Sequence, residues 1–322
     1  MYAWTGHKGG WLTVCCGLIS MLLWLHSRPA EAHSLWRVDY SLGTDYRRAH
    51  LDWNIAGSLA GTGPNILSEL TWSGLEIAQV TGAAQVTVHD RLVLLGRGSY
   101  GVVANGKTRD SDYGGDNRTL EFLRSDSKGG GEVGDGAFAI GYHFRLPLPA
   151  VGVAVHVTPV IGYSWDLQYL TIRDGWQIIP ATGAIADLRS SYHAEWSGPW
   201  LGMTMRVETD RRSSVSVGAE YHYADYYAEG NWNLRDDLAH PVSFKHSSHG
   251  SGLIVTMALT RAVTTRWDVR VRMVFQRWQA NPGTDTLNTI DAATGALQPT
   301  ATRLNQVNWR SVSGGLAAIY HF

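Results

Sequence analysis

Residues 151–167 read VGVAVHVTPVIGYSWDL, and they alternate. Val151, Val153, Val155, Val157, Pro159, Ile161, Tyr163, Trp165 and Leu167 fall on one face of an extended chain. Gly152, Ala154, His156, Thr158, Gly162, Ser164 and Asp166 fall on the other, with Val160 the one large apolar residue among them. Successive side chains of a strand point to opposite faces, so this is period-two patterning sustained far beyond the usual strand of about 5–6 residues. Residues 267–276, WDVRVRMVFQ, repeat it with charge: Trp267, Val269, Val271, Met273 and Phe275 against Asp268, Arg270, Arg272 and Gln276. A soluble sandwich would bury one of these faces in its core, where an unpaired charge costs several kcal/mol. A transmembrane barrel requires the opposite arrangement, apolar toward lipid and polar toward the lumen. Phe138, Ile140, Tyr142, Phe144 and Leu146 fit that scheme, as do Leu253, Val255, Met257 and Leu259.

The rest of the chain agrees. Of its 322 residues, 36 are Gly, 14 Trp and 14 Tyr, while only 17% are charged; glycine and aromatics with few charges point to strands and turns. The net charge of -1 lacks the basic excess of a nucleic-acid binder. At the N-terminus, Lys8 precedes the apolar run 11–25, and Ala30-Glu31-Ala32 is a small-residue cleavage signal. Residues 1–32 therefore read as a secretory signal peptide and 33–322 as the mature domain. Both cysteines, Cys15 and Cys16, lie in the leader, so the exported chain would fold without disulfides.

Ten strands are expected, at about 35–44, 65–88, 91–107, 132–147, 150–167, 190–208, 213–228, 245–261, 264–279 and 306–322. An even count suits a bacterial barrel, and short connections at 89–90, 148–149, 209–212 and 262–263 alternate with long ones at 45–64, 108–131, 168–189, 229–244 and 280–305. Short turns belong to the periplasmic side and long loops to the outside. Tyr163, Trp165, Trp196, Trp200, Trp267 and Trp278 fall near strand ends, where interfacial girdles sit. The final stretch SGGLAAIYHF ends on Phe322 and resembles the signal read by the bacterial barrel-assembly machinery. The expected fold is all-β: a ten-stranded antiparallel transmembrane β-barrel in the cell outer membrane, in contact with its lipid. A barrel this narrow fills its interior with side chains rather than forming an open porin.

Three stretches resemble the omptins, outer-membrane aspartic endopeptidases of Gram-negative bacteria. LSELTWSGLEIAQVTG (67–82) resembles their second strand, GRGSYGVVANGKTRDSDYGG (96–115) their third strand with its Asp-x-Asp-aromatic motif, and AEWSGPWLGM (194–203) their sixth. The resemblance is distant but runs through most of the mature chain in order. It implies proteolysis at an extracellular groove, where an Asp-x-Asp faces an Asp-His unit that activates water. Asp110 and Asp112 match the Asp-x-Asp, with Tyr113 as its aromatic. The facing stretch 228–246, AEGNWNLRDDLAHPVSFKH, has no Asp-x-His; Asp237 and His240, three apart, are its candidates, and Trp232 and Asn233 stand near the matching positions. A carboxylate-oriented imidazole suits a general base, and a carboxylate pair can share a proton. The family's lipopolysaccharide contacts correspond to Tyr163, Trp165, Leu167 and Glu195, of which only Tyr163 keeps the family's residue type.

Other readings of the same residues stay open. Asp110 and Asp112 could form a calcium loop with Asp116, although the glycine and closing glutamate of a twelve-residue loop are missing, or a salt-bridge cluster with Arg109 and Arg118. His240, His246 and His249 lack tetrahedral-ligand spacing and read as solvated loop histidines. His143, His156 and His222 read as lumen residues bonded with Arg145, Glu220, Asp268, Arg270 and Arg272. No cofactor motif and no nucleophile elbow occurs; GSYG at 98–101 lies within a strand. Two functions remain: an omptin-like endopeptidase acting on peptide or protein, and a non-enzymatic barrel serving adhesion, surface binding or envelope structure.

Overall fold

The computed structural model describes residues 35–148 and 153–322; the leader expected at 1–32 and residue 149 of the expected 148–149 turn lie outside them. In chain order the strands are β1 (Trp36–Ile55), β2 (Ser68–Val88), β3 (Leu92–Gly115), β4 (Thr119–Tyr142), β5 (Phe144–Leu148), β6 (Val153–Ile179), β7 (Gly183–Glu208), β8 (Ser213–Asn231), β9 (Phe244–Ala262), β10 (Trp267–Ala280), β11 (Gly283–Ile290) and β12 (Leu297–His321). Neighbours pair antiparallel, and β12 returns to pair β1 along a register from Asp39↔His321 to Ile55↔Leu304. β5 continues β4 past His143, and β11 is a short strand beside β9 and β12. The wall is thus a closed ring of ten strands. Closure removes the unpaired edge that an open sheet would present.

The long connections expected at 45–64, 108–131, 168–189 and 280–305 are largely strand. β1 runs on to Ile55, β3 and β4 meet at the tight turn Asp116–Arg118, and β6 and β7 turn over residues 180–182. Spanning a bilayer takes only about 9–11 tilted residues, whereas β3 has 24 and β6 has 27. The excess projects past the apolar band at the end opposite the short turns. Glycine and polar residues had read as loop there; paired with one another across a hairpin they remain sheet.

Outward residues of the lower half form an apolar band: Leu94, Ile140, Ile161, Leu201, Val217, Leu259, Val271 and Leu316 are exposed on it. Strand β10 shows the parity strictly, with odd positions exposed through Arg277 and even ones turned inward. Inside the band lies a polar cavity of about 410 Å³. Arg97 pairs with Glu220, Arg272 with Asp45 at 2.7 Å, and Arg47 with Asp135. His143 lies 2.9 Å from His156, and His222 is bonded to Ser164 and Glu220. Of the partners expected for these histidines only Glu220 bonds one of them; Arg272 binds Asp45, Arg270 binds Thr260, Asp268 pairs with His321, and Arg145 is exposed.

Above it, the lumen is filled by an apolar layer drawn from the whole ring. Leu51, Leu70, Trp72, Leu75, Ile77, Leu170, Tyr192, Trp196, Tyr226, Trp278, Leu304 and Trp309 are fully or almost fully buried in it. This corrects the girdle placement of three tryptophans. Trp196, Trp200 and Trp278 point inward and are buried, while Trp165 and Trp267 are exposed on the outside. Proximity to a strand end does not decide the face; parity does.

Candidate functional site

The carboxylates Asp110 and Asp112 lie on β3 above the apolar layer, in strand rather than loop. In the membrane, odd-numbered β3 residues face the lumen: Arg97 reaches Glu220, and Ser99 donates to Asp135 at 2.7 Å. Without interruption, even-numbered residues would then face outward. An irregularity in the β3–β4 pairing between Val103 and Lys107 changes the phase, as an extra residue in one strand does. Beyond it Leu70 stands opposite Asp110 and Ser68 opposite Asp112. Leu70 is fully buried in the core, so both carboxylates share the lumen face, each half-buried.

Burial raises the Asp110 carboxyl to about 8, and the charge of Asp112 raises it further within that sum, while Arg235 draws it down. Burial also raises Asp112, opposed by a hydrogen bond with Ser68 and by Arg235. Two carboxyls this close hold a shared proton more readily than two charges. Because the folded value of Asp110 lies above its ordinary 3.8, its protonated form favours the fold. That contribution is complete below about pH 4 and is lost as pH rises toward about 8. Asp110→Asn should therefore gain stability relative to the parent between pH 4 and 8 and stay level above; urea unfolding at pH 4, 6, 8 and 9.5 checks this, and a pH-independent difference would refute it.

Arg235 is the cation whose field reaches both carboxylates across the mouth. Its guanidinium also grips Asp237, with Nε at 2.7 Å and Nη2 at 2.6 Å from the two oxygens, and this holds the Asp237 carboxyl below its usual range. His240 donates from Nδ1 to Asn231 Oδ1 at 2.8 Å. Asp237 and His240 are thus each bonded to another partner, and the structure does not bring them together as a hydrogen-bonded unit. The salt-bridge reading of the Asp pair is corrected: Arg109 points away and binds Asp126 at 2.7 and 2.9 Å, while Arg118 binds Glu69. Asp116 accepts the Asn65 backbone N–H at 2.7 Å, and no metal-holding group of acidic or histidine side chains forms among the described residues.

Sequence reasoning missed two features. Arg235 sits in the irregular stretch 232–243, and only closure of the ring sets it against β3. The second is His246, expected in solvent but fully buried on β9. Its Nδ1 lies 2.8 Å from Tyr192 Oη, which contacts Tyr226 Oη, and its Nε2 faces Asp285 at 3.4 Å. Pairing of β11 with β9 sets Asp285 opposite His246. The alternation of Phe244, His246 and Ser248 was the available signal, hidden because the strand start was placed at 245.

The family model described as Pom, Protochlamydia outer membrane protein, matches residues 41–322. No curated protein matches the chain. Among solved structures, the outer membrane protease OmpT from Escherichia coli superposes with a TM-score of 0.67 at 15% identity, over 92% of this chain and 99% of that one. The translocator domain of the autotransporter NalP from Neisseria meningitidis reaches a TM-score of 0.34 at 10% identity, over 96% and 95%. The COG4313 outer membrane channel from Pseudomonas putida F1 reaches 0.28 at 11%, over 91% and 100%. The first establishes likeness of fold; at these identities none establishes activity.

Proposed function

The chain belongs to the Protochlamydia outer membrane protein family, and from that premise we propose that it is a surface-binding barrel whose extracellular mouth takes a cationic group of a peptide or protein on Asp110 and Asp112. Its place in the outer membrane and its lipid surroundings follow from the family and fold; export by the leader at 1–32 is part of the proposal. The observation that carries the reading is the carboxylate pair itself: Asp110 and Asp112 share the lumen face of β3 at the mouth, each half-buried. The charge of Arg235, whose guanidinium is bound to Asp237, acts on both carboxylates and opposes the approach of a second cation.

The test is binding of a fluorescent arginine-containing peptide to the refolded barrel, read by anisotropy. Asp110→Asn with Asp112→Asn should weaken binding by roughly tenfold or more, since a hydrogen bond to a charged group contributes about 1.5–3 kcal/mol. Arg235→Ala should strengthen it. Binding by the parent should also rise from pH 6.5 to 9 as Asp110 ionises. Equal binding by parent and double variant would end this reading.

A second reading is favoured by the raised Asp110 carboxyl. A pair that holds one proton near neutral pH can act as acid and base together. On this reading the barrel is an omptin-like aspartic endopeptidase, with Asp110 and Asp112 on one side and Asp237 and His240 on the other. It requires Asp237 and His240 to leave Arg235 and Asn231 when substrate enters. Cleavage of a dibasic fluorogenic peptide, abolished by Asp112→Asn and by His240→Ala, would establish it; the binding reading expects no turnover with or without lipopolysaccharide.

A further inference from the structure

On the outer wall, at the upper edge of the apolar band, three arginines face out of the barrel on adjoining strands. Arg310 of β12 stands opposite Arg277 of β10 on one side and opposite His50 of β1 on the other. Arg48 lies on the same face of β1, opposite Val312. All three arginines are exposed. Like charges facing one another across strands oppose pairing. Glu76 of β2 stands opposite Arg48, yet among the described residues no side-chain hydrogen bond or ion pair is formed by any of the three arginines. The nearby carboxylate Asp52 is engaged by His50 at 3.1 Å and Asn308 at 2.8 Å, although it feels the charge of Arg310.

One pleat nearer the short turns, Phe275 follows Arg277 on β10 and Val312 follows Arg310 on β12, while Leu253 stands opposite Arg277. Leu253, Phe275 and Val312 are 49, 38 and 44% exposed. Together the basic and apolar residues line a shallow groove of about 520 Å³. Gly74 floors one side of it in the left-handed region, φ 59°, and a Cβ there would meet nothing within 4 Å. The groove thus joins exposed cations to exposed apolar side chains.

We infer that this seam is a binding site for a phosphorylated lipid of the outer leaflet, its phosphate on Arg48, Arg277 and Arg310 and an acyl chain along Leu253, Phe275 and Val312. Guanidinium forks match phosphate oxygens in pairs, and a dianionic group relieves the repulsion among the three cations. A phosphate free in solution would leave the apolar half unused, which is why the lipid is the occupant. The site lies on β1, β9, β10 and β12, away from Tyr163 and Glu195 of β6 and β7, where the omptin resemblance directs attention. It rests on the membrane location alone and stands whether or not the mouth binds cations.

The experiment is native mass spectrometry of the refolded full barrel in neutral detergent, with phosphatidic acid or phosphatidylcholine of the same acyl chains. The parent should retain one phosphatidic acid at least tenfold more than phosphatidylcholine. Arg48→Gln, Arg277→Gln and Arg310→Gln combined should abolish that preference while the gel shift of the folded barrel on heating is kept. Should the combined variant not refold, each single change gives the same readout in smaller measure. Equal retention of the two lipids by the parent, or preference undiminished in the variants, overturns the inference. So does displacement of the lipid by millimolar inorganic phosphate, which would make the ligand a soluble anion.

Discussion

Arg47→Met should cost the barrel about 3–5 kcal/mol of unfolding free energy, the loss expected when one member of a buried ion pair is removed. Arg47 is 3% exposed and hydrogen-bonds Asp135, which also accepts from Ser99 at 2.7 Å. Across the β4–β6 pairing Asp135 stands directly opposite Asp166, itself 4% exposed. Without the guanidinium, two facing carboxylates remain in a closed lumen with only Arg97 nearby, and Arg97 is already committed to Glu220. Solvent cannot screen them as it screens a surface pair. Adding Asp135→Asn and Asp166→Asn to the Arg47 variant should recover most of the loss, because the charges needing compensation are then gone. Equilibrium unfolding by guanidinium of the barrel refolded into vesicles measures both. A loss below about 1 kcal/mol, the scale of an exposed pair, would show that water reaches the cluster freely.

The second large effect belongs to the layer above. Trp196→Ala should destabilise by about 3–5 kcal/mol, as large-to-small changes in a packed core do. Trp196 is wholly buried, its ring centroid 4.3 Å from Tyr226 and 5.7 Å from Trp278, and its indole N–H donates to Gln168 at 3.2 Å. The surrounding strands are fixed by closure of the ring and cannot collapse into the space left. Trp196→Phe keeps most of the apolar contact and forfeits the hydrogen bond, so its cost should be clearly smaller. If alanine and phenylalanine behave alike, the hydrogen bond rather than the packing is what the layer depends on.

The barrel itself was legible. Alternation in 267–276 gave the lipid and lumen faces residue by residue, since a strand has no choice about where successive side chains go; in 138–146 it held except at Arg145, expected inward and found exposed. Strand lengths were legible only within the membrane. Above it, no lipid imposes an apolar face, so Gly129, Gly130 and Gly131 on β4 and Asp187 on β7 looked like loop while their backbones pair across hairpins. The site was half legible. Asp110 and Asp112 could be selected, and their i, i+2 spacing puts them on one face of a strand. The spacing alone could not say which face, because a single irregularity downstream of Val103 reverses the parity.

By itself, then, the sequence determined a ten-stranded barrel with a polar lumen and a pair of carboxylates beyond the third membrane strand. Those properties are local, written in side-chain periodicity. The tertiary structure decided what the carboxylates face. Ring closure brings Arg235 to where its charge acts on the pair, while Asp237 and His240 are held locally, by Arg235 and Asn231. It also gathers Arg48, Arg277 and Arg310 from both ends of the chain onto one patch of wall. Neither arrangement has a sequence signature, because each joins residues whose nearness comes only from the register in which distant strands pair.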